Sequence, residues 1–205
     1  MINTVKNIHE VVITGNDLTL EQLVAVARYD AKITIDADAA ERIKASRAIV
    51  DKIVNSGAVV YGITTGFGSL CRVHISKEDC SQLQENLIRT HSCGFGKPFT
   101  RELTRAMMLI RINALVKGYS GIRPETLDTL IAMLNKGVHP YIPEKGSLGA
   151  SGDLAPLSHM VLPMLGLGDA EYQGQLLPGR EAMEKAGIPV IALQAKEGLD
   201  RKSVV

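Results

Sequence analysis

Three small residues stand side by side at Ala150-Ser151-Gly152, where the backbone itself could become a reactive group. The amide nitrogen of Gly152 can attack the carbonyl carbon of Ala150, because glycine permits the sharply bent backbone and alanine obstructs it little. Loss of two water molecules closes a five-membered imidazolone and converts Ser151 into an exocyclic methylene. The pattern predicts an electrophile at this point, a chemistry that no standard side chain offers.

Asp153 and Pro156 follow this tripeptide, and the two together are typical of the start of a helix. The positive end of that helix would point towards the predicted ring and favour negative charge building up there. We therefore expect the helix and the ring to act together.

Two other kinds of site use glycines or a serine in similar surroundings, and the spacing disfavours both. For nucleotide binding, residues 66–68 lack the third glycine of the G-x-G-x-x-G pattern because Cys71 occupies its place, and no Walker lysine follows. For a serine hydrolase, Ser151 and His159 would be the partners. Residues 149–152, however, do not form the G-x-S-x-G elbow, and no strand precedes them.

The composition is that of a globular domain without a nucleic-acid signal. The 205 residues are 45% hydrophobic and 22% charged, with a formal net charge of +1, so the chain can bury a core and carries no basic stripe. Cys71, Cys80 and Cys93 fit no zinc spacing and are interpreted as reduced, partly buried thiols. Because no signal peptide or membrane-spanning run is recognised, we expect a cytoplasmic protein.

The hydrophobic periodicity predicts a mainly α chain with a few short strands. Strands are expected at residues 11–13 and 33–35. Predicted helices begin at the capping box of Thr19 and Gln22, at Asp38, at Ser76, at residue 100, at Pro124 and at Asp153. The helix from Asp38 is expected to end at Gly57, and the helix from Pro124 at Gly137. The helix over residues 100–117 carries on one face Leu103, Met107, Ile110 and Ala114. Residues 172–179 are predicted as a turn-rich excursion, and residues 193–199 as a further helical start.

Residues 146–160, GSLGASGDLAPLSHM, resemble the signature of the aromatic amino acid ammonia-lyases, which make 4-methylideneimidazol-5-one (MIO) from Ala-Ser-Gly. Residues 60–68, VYGITTGFG, resemble the mobile tyrosine loop of that family. Residues 136–159 match it without a gap, and YQGQLLPG and LQAKEGL follow in the family's order. The resemblance covers nearly all of residues 1–199. It implies the N-terminal part of the ammonia-lyase (fumarase/aspartase-like) helical fold.

The resemblance also implies catalytic residues. Ala150, Ser151 and Gly152 would form the prosthetic group, and Asp153 would assist the cyclisation or hold its geometry. Tyr61 matches the loop tyrosine that does acid–base work at the β-carbon of the substrate. A strand-end aromatic packed on the core is the alternative for Tyr61.

His91 is the residue expected to select the substrate. In histidine ammonia-lyases a Ser-His pair precedes a small-small-Gly step, and here Thr90 and His91 stand before Ser92, Cys93 and Gly94. A neutral histidine can donate from one ring nitrogen and accept at the other, which suits an imidazole substrate. The alternative is a helix-end histidine that caps backbone carbonyls.

The remaining features are assigned by their surroundings. His74 and His139 are interpreted as structural, and His159 lies inside the motif, where it would buttress it. At Thr64 many family members have Asn, which leaves the contacts of the tyrosine loop open.

The activity implied is conversion of L-histidine to trans-urocanate and ammonia, a step of histidine catabolism, with no metal and no dissociable cofactor. The alternatives within the class are a phenylalanine or tyrosine ammonia-lyase or an MIO aminomutase. A non-catalytic fragment with only an assembly role is the alternative from another class. Loss of two waters in the intact mass would separate that last alternative from a lyase.

The resemblance further implies a homotetramer of chains more than twice this length. Residues 1–199 are therefore expected to be the MIO-forming N-terminal region, cut before the central helical bundle. Residues 200–205, DRKSVV, match one reading frame of a common sequencing adapter and are expected to be a non-native tail.

We expect the 205-residue chain alone to be poorly soluble and to have little or no lyase activity, because its apolar helix faces would lack partners. Urocanate absorbance measured with this chain tests the expectation, and robust turnover would contradict it.

Overall fold

The computed structural model describes residues 5–66, 72–73, 75–148 and 153–198. The helices within these ranges are α1 Leu20–Tyr29, α2 Ala37–Ser56, α3 Lys77–His91, α4 Arg101–Val116, α5 Pro124–Lys136, α6 Leu154–Val161 and α7 Gly179–Lys185. The strands are β1 Glu10–Ile13, β2 Lys32–Ile35, β3 Phe95–Pro98, β4 Val138–Pro140, β5 Pro143–Lys145, β6 Asp169–Tyr172 and β7 Gln175–Pro178. The predicted mainly α fold with short strands is confirmed.

Several residues singled out from the sequence lie outside the described ranges. They are the three ring residues Ala150, Ser151 and Gly152, together with Cys71, His74 and residues 199–205. Of the other cysteines, Cys80 is buried, as expected, whereas Cys93 is exposed; both are free thiols. No helix in the described ranges is long and apolar enough to cross a bilayer.

Local sequence signals account for most helix boundaries. The Thr19 and Gln22 capping box forms as predicted, because the Gln22 N–H donates to Thr19 Oγ1 and the Thr19 N–H donates to Gln22 Oε1. Ser76 caps α3 by accepting from the Asp79 N–H at 3.1 Å. Gly137, as expected, ends α5 in the left-handed conformation with φ +79°.

Helix α2 begins two residues earlier than expected. Its N-cap is Asp36, whose Oδ1 accepts from the Ala39 N–H at 3.1 Å, and Asp38 lies in the first turn. Both residues are acidic and both suit a helix start, so the capping-box spacing at Asp38 was misleading. The end of α2 at Gly57 was predicted correctly.

The apolar stripe on α4 is not its buried face. Leu103 and Ile110 are 49% and 54% exposed, whereas the helix buries the opposite side. That side consists of Thr104, Arg105, Met108, Leu109, Arg111, Ile112, Leu115 and Val116. Periodicity was misleading here because two arginines and a threonine interrupt the buried stripe.

The short strands form three separate small sheets. β1 and β2 pair in parallel around α1, with Val11 opposite Ile33. β3 pairs with β5 in antiparallel fashion, and β4, β6 and β7 form a three-stranded antiparallel sheet. Only β1 and β2 were predicted; the excursion over residues 172–179 is the turn and second strand of the β6–β7 hairpin.

A buried polar network joins four elements around Arg105, which is 2% exposed. Its guanidinium donates to the carbonyls of Val26 and Leu134, each at 2.9 Å, and to His139 Nε2 at 3.2 Å. Because arginine can only donate, the proton of neutral His139 is on Nδ1, which faces Glu171. Burial lowers the pKa of His139, although the adjacent carboxylate opposes the shift. His139 thus has the structural setting expected for it.

Gly121 provides a test of how tightly the helices pack. A methyl group there would lie 2.4 Å from Cγ2 of Val50, whereas one on Gly57 would meet no described atom within 4 Å. Both glycines have positive φ, +74° and +69°. We expect Gly57→Ala to cost about 1–2 kcal/mol of unfolding free energy for the left-handed backbone. Gly121→Ala should cost roughly 1–3 kcal/mol more from the clash.

Urea denaturation of the two variants and the parent measures this difference, provided that the slope of the unfolding free energy against urea concentration is the same in all three proteins. Equal losses of unfolding free energy in the two variants would show that the Val50 side chain moves aside at no energetic cost.

Candidate active site

Along the sequence, the small-residue segment, residues 147–152, follows a short strand and precedes a buried helix. β5 and Gly146 enter it, and Asp153 leaves it as the residue that precedes α6. The Asp153 carbonyl accepts from the Leu157 N–H at 3.1 Å and so belongs to the helix. Its side chain makes no capping bond to that helix. The carboxylate is therefore not occupied in holding the first turn of α6.

The strand pair β3–β5 brings the end of α3 next to the entrance of this segment. Phe95 stands opposite Lys145 in the ladder. Beyond the ladder, a methyl group on Gly146 would lie 2.9 Å from Cα of Gly94. One on Gly94 would lie 3.1 Å from the Lys145 carbonyl oxygen. The two backbones therefore approach more closely than any side chain would allow.

This contact relates two of the predicted site regions. His91 stands three residues before Gly94, and Ala150 stands four residues after Gly146. Helices α3 and α6 also pack against each other. The chain thus brings the predicted substrate-selecting histidine and both flanks of the predicted ring into one region.

His91 is held by the last turn of its own helix. Its Nδ1 lies 2.7 Å from the carbonyl oxygen of Leu87, to which the Thr90 hydroxyl also donates at 3.0 Å. Ser92 continues the pattern by donating from Oγ to the Ile88 carbonyl at 2.8 Å. Three consecutive side chains therefore cap the end of α3.

The capping bond determines which nitrogen of His91 carries the proton. A carbonyl oxygen can only accept, so Nδ1 is the donor, and in the neutral ring Nε2 then carries a lone pair. The half-buried ring makes no Nε2 hydrogen bond to the described part of the chain. The capping alternative and the substrate-selecting role are thus compatible, because they use different nitrogens.

Tyr61 is 58% exposed and stands in a turn that the neighbouring side chains brace. The Thr64 hydroxyl donates to the Ala58 carbonyl at 2.6 Å and accepts from the Val60 N–H at 2.8 Å. Thr65 Oγ1 accepts from the Gly62 N–H at 3.2 Å. Threonine at position 64, where many family members have Asn, thus has a defined structural role. The core-packed alternative for Tyr61 is wrong, since most of its side chain is outside the core.

The turn that carries Tyr61 is attached to α3. Ile63 is buried in a small cluster with Val50, Cys80 and Ala195. The Cys80 thiol also lies 3.9 Å from the Ile63 carbonyl oxygen, at the limit of a weak sulfur hydrogen bond. The helix that ends at His91 therefore also supports the tyrosine turn at its beginning.

A buried carboxylate that the sequence did not reveal holds the last described residues. Glu197 is fully buried; its two oxygens accept from the Arg123 guanidinium and from the Thr126 hydroxyl at 2.6 Å. Burial pushes the pKa of Glu197 upward, but these hydrogen bonds outweigh it and leave the pKa below its usual value. The Gly198 N–H donates to Gln84 on α3 at 2.7 Å. The only sequence signal here was the family-like LQAKEGL segment.

The helical fold and this small-residue segment define the class of the protein as an aromatic amino acid lyase. Residues 18–200 match the family model described as aromatic amino acid lyase, and the chain belongs to this family. The family and fold that the motifs predicted are confirmed.

Two similar proteins are both histidine ammonia-lyases. The chain is 66% identical to histidine ammonia-lyase from Clostridium tetani (strain Massachusetts / E88) over 194 residues, which cover 95% of this chain and 38% of that protein. It is 66% identical to histidine ammonia-lyase from Streptococcus sanguinis (strain SK36), covering 93% of this chain and 37% of that protein. The chain therefore spans a little more than a third of the length of these relatives.

Solved structures show the same fold. Histidine ammonia-lyase from Trypanosoma cruzi superposes with a TM-score of 0.87 at 42% identity, covering 94% of this chain and 38% of that chain. Ergothionase from Treponema denticola, an ergothioneine-degrading enzyme, superposes with a TM-score of 0.90 at 34% identity, covering 95% and 39%.

Proposed function

We propose that the protein carrying this chain converts L-histidine to trans-urocanate and ammonia. The observation that carries the proposal is the orientation of His91, whose Nδ1–H is bonded to the Leu87 carbonyl and whose Nε2 is left as an acceptor. An imidazole substrate has a ring N–H to donate to it, and a phenyl ring has none. The 66% identity to histidine ammonia-lyases supports the same substrate.

We propose that Ala150, Ser151 and Gly152 form the MIO group. The surroundings fit such a group, because Gly94 and Gly146 meet in backbone contact before the tripeptide and α6 begins directly after it. When formed, the group supplies an electrophile that makes the amine of the substrate a better leaving group. The N-terminus of α6 places unsatisfied N–H groups on the side where the tripeptide ends.

The other residues have roles in binding and proton transfer. His91 orients the substrate ring by accepting its N–H at Nε2. Tyr61, presented to solvent by its braced turn, takes the β-proton as the carbon–carbon double bond forms and ammonia leaves. Asp153, whose carboxylate is not used for capping, assists the backbone cyclisation or holds its geometry.

We further propose the setting in which these residues work. Residues 1–199 form the MIO-forming N-terminal region of a longer chain, with 200–205 as a non-native tail, and four such chains assemble into a homotetramer in the cytoplasm. The similarity to ergothionase adds ergothioneine as a second candidate substrate. Turnover of L-histidine, ergothioneine, L-phenylalanine and L-tyrosine by the complete protein compares the candidates.

Ser151→Ala tests the prosthetic group directly, because alanine has no hydroxyl to lose. The parent protein should show an intact mass lower than its sequence mass by two water molecules, and the variant should not. Lyase activity should fall to background in the variant. Ser147→Ala, a change of the same kind in the same segment, should keep both the mass deficit and the activity. A parent mass equal to the sequence mass would contradict ring formation.

His91→Asn tests the substrate contact while retaining a donor near the Leu87 carbonyl. The amide nitrogen of Asn can occupy the place of Nδ1, but nothing replaces Nε2. We expect kcat/KM for L-histidine to fall about 10- to 100-fold, with an unchanged melting temperature. His9→Gln changes an exposed histidine and serves as the control. An unaltered kcat/KM in His91→Asn would remove Nε2 from the substrate site.

A further inference from the structure

We infer that His159 is a positioning residue that locks the end of α3, and with it His91, to the helix that follows the predicted ring. It does so by accepting the Gly94 N–H at Nε2, a contact of 3.0 Å. The inference rests on the proposed lyase function for its consequence in catalysis, but the contact itself does not depend on that function.

Three chain segments meet at Gly94. A methyl group there would lie 3.1 Å from His159 Nε2 on α6, and 3.1 Å and 3.2 Å from Lys145 and Pro143 on β5. Gly94 is thus enclosed between the strand that leads into the small-residue segment and the helix that leaves it. A shift of His159 would move Gly94 and the turn that begins at His91.

The hydrogen bond to Gly94 requires a particular form of His159. An N–H can only donate, so Nε2 must be unprotonated and the proton of the neutral ring must lie on Nδ1. Gly94 directly precedes β3, where its N–H would otherwise be left without a partner at the end of the ladder. A protonated His159 would instead present an N–H towards the Gly94 N–H, and the lock would open.

Burial favours the form that makes this bond. It lowers the pKa of His159, and no nearby charge contributes to the shift. The elements that pack against α6 include α3, β4 and the turn Leu162–Leu165, and this turn has no titratable side chain. The described titratable side chains on α3, on β4 and on the neighbouring β5 are Asp79, Cys80, Glu85, Arg89, His91, His139, Glu144 and Lys145.

The direction of the pH effect follows from the lowered pKa of His159. Since the folded-state pKa of His159 lies below its ordinary 6.5, the neutral ring and its bond to Gly94 are fully present above pH 6.5. The contribution is lost as the pH falls through the folded-state value. In the complete enzyme the acid side of the pH profile should therefore contain a part that belongs to His159.

Two variants at one position separate positioning from simple packing. His159→Gln keeps an acceptor, Oε1, at about the reach of Nε2 but does not titrate. His159→Ala removes the acceptor. His9→Gln, which replaces an exposed histidine far along the chain from this contact, is the control.

The first measurement is hydrogen exchange of the Gly94 amide in the complete protein as a function of pH, corrected for the intrinsic exchange rate. In the parent, protection should be high above pH 6.5 and fall on acidification. In His159→Gln it should be independent of pH over the same range, and in His159→Ala it should be low throughout. Parent protection that does not change with pH would overturn the inference.

The second measurement is kcat/KM for L-histidine across the same pH range. We expect His159→Ala to lose about tenfold near neutral pH, the equivalent of one hydrogen bond. His159→Gln should stay within roughly threefold and should have a less steep acid limb than the parent. A parent-like pH profile in His159→Gln, or parent-like kcat/KM in His159→Ala, would overturn the positioning role.

The two measurements keep this inference distinct from the proposed function. A parent protein that turns over none of the candidate amino acids refutes the lyase proposal, whatever Gly94 shows. An active parent whose Gly94 protection ignores His159 refutes only the present inference. If His159→Ala does not fold, the comparison of His159→Gln with the parent still decides, because it depends on titration and not on the loss of a side chain.

Discussion

The close approach of Gly94 and Gly146 is the constraint on which the rest of the site depends. A methyl group on Gly146 would lie 2.9 Å from the Gly94 backbone, so the two segments approach this closely only because residue 146 has no side chain. This contact places the end of α3 beside the strand that enters the small-residue segment. The helix that leaves the segment closes the arrangement through His159. The turn that begins at His91 and the two segments that flank the predicted ring therefore hold one another in position.

Two buried charges, each with several hydrogen bonds, hold the elements around this region in place. Arg105 connects α1, α4, α5 and β4, and Glu197 connects the last described residues to the start of α5. A buried charge is costly unless its hydrogen bonds are satisfied, and removing one partner leaves the other exposed to that cost. Such networks favour one arrangement of the elements over alternatives that would pack apolar groups equally well. Helix α3 is held to the rest of the chain at two places, because Gln84 binds Gly198 and Cys80 contacts Ile63.

Three histidines of the chain each have one ring nitrogen committed to the fold. His91 donates from Nδ1 to its own helix, His139 accepts from Arg105, and His159 accepts from Gly94. Burial lowers the pKa of His139 and His159 and so maintains the neutral ring. In His91 the committed nitrogen leaves the other one for a ligand. The same chemistry thus serves structure at two positions and recognition, as proposed, at the third.

The sequence by itself determined the features that depend on neighbours along the chain. The Thr19 capping box, the Ser76 cap and the Gly57 stop are local interactions, and the Ala-Ser-Gly motif with its long context identified the family. Only the tertiary structure decided which face of α4 is buried, that β3 pairs with β5, and that Gly94 meets Gly146 and His159. These depend on residues far apart in the chain, such as Gly94 and His159, which are separated by 65 positions, and a single sequence carries no signal of which distant glycine, carbonyl or ring nitrogen will be the partner. Periodicity also cannot anticipate a buried arginine, because its burial is favourable only once the distant acceptors are in place.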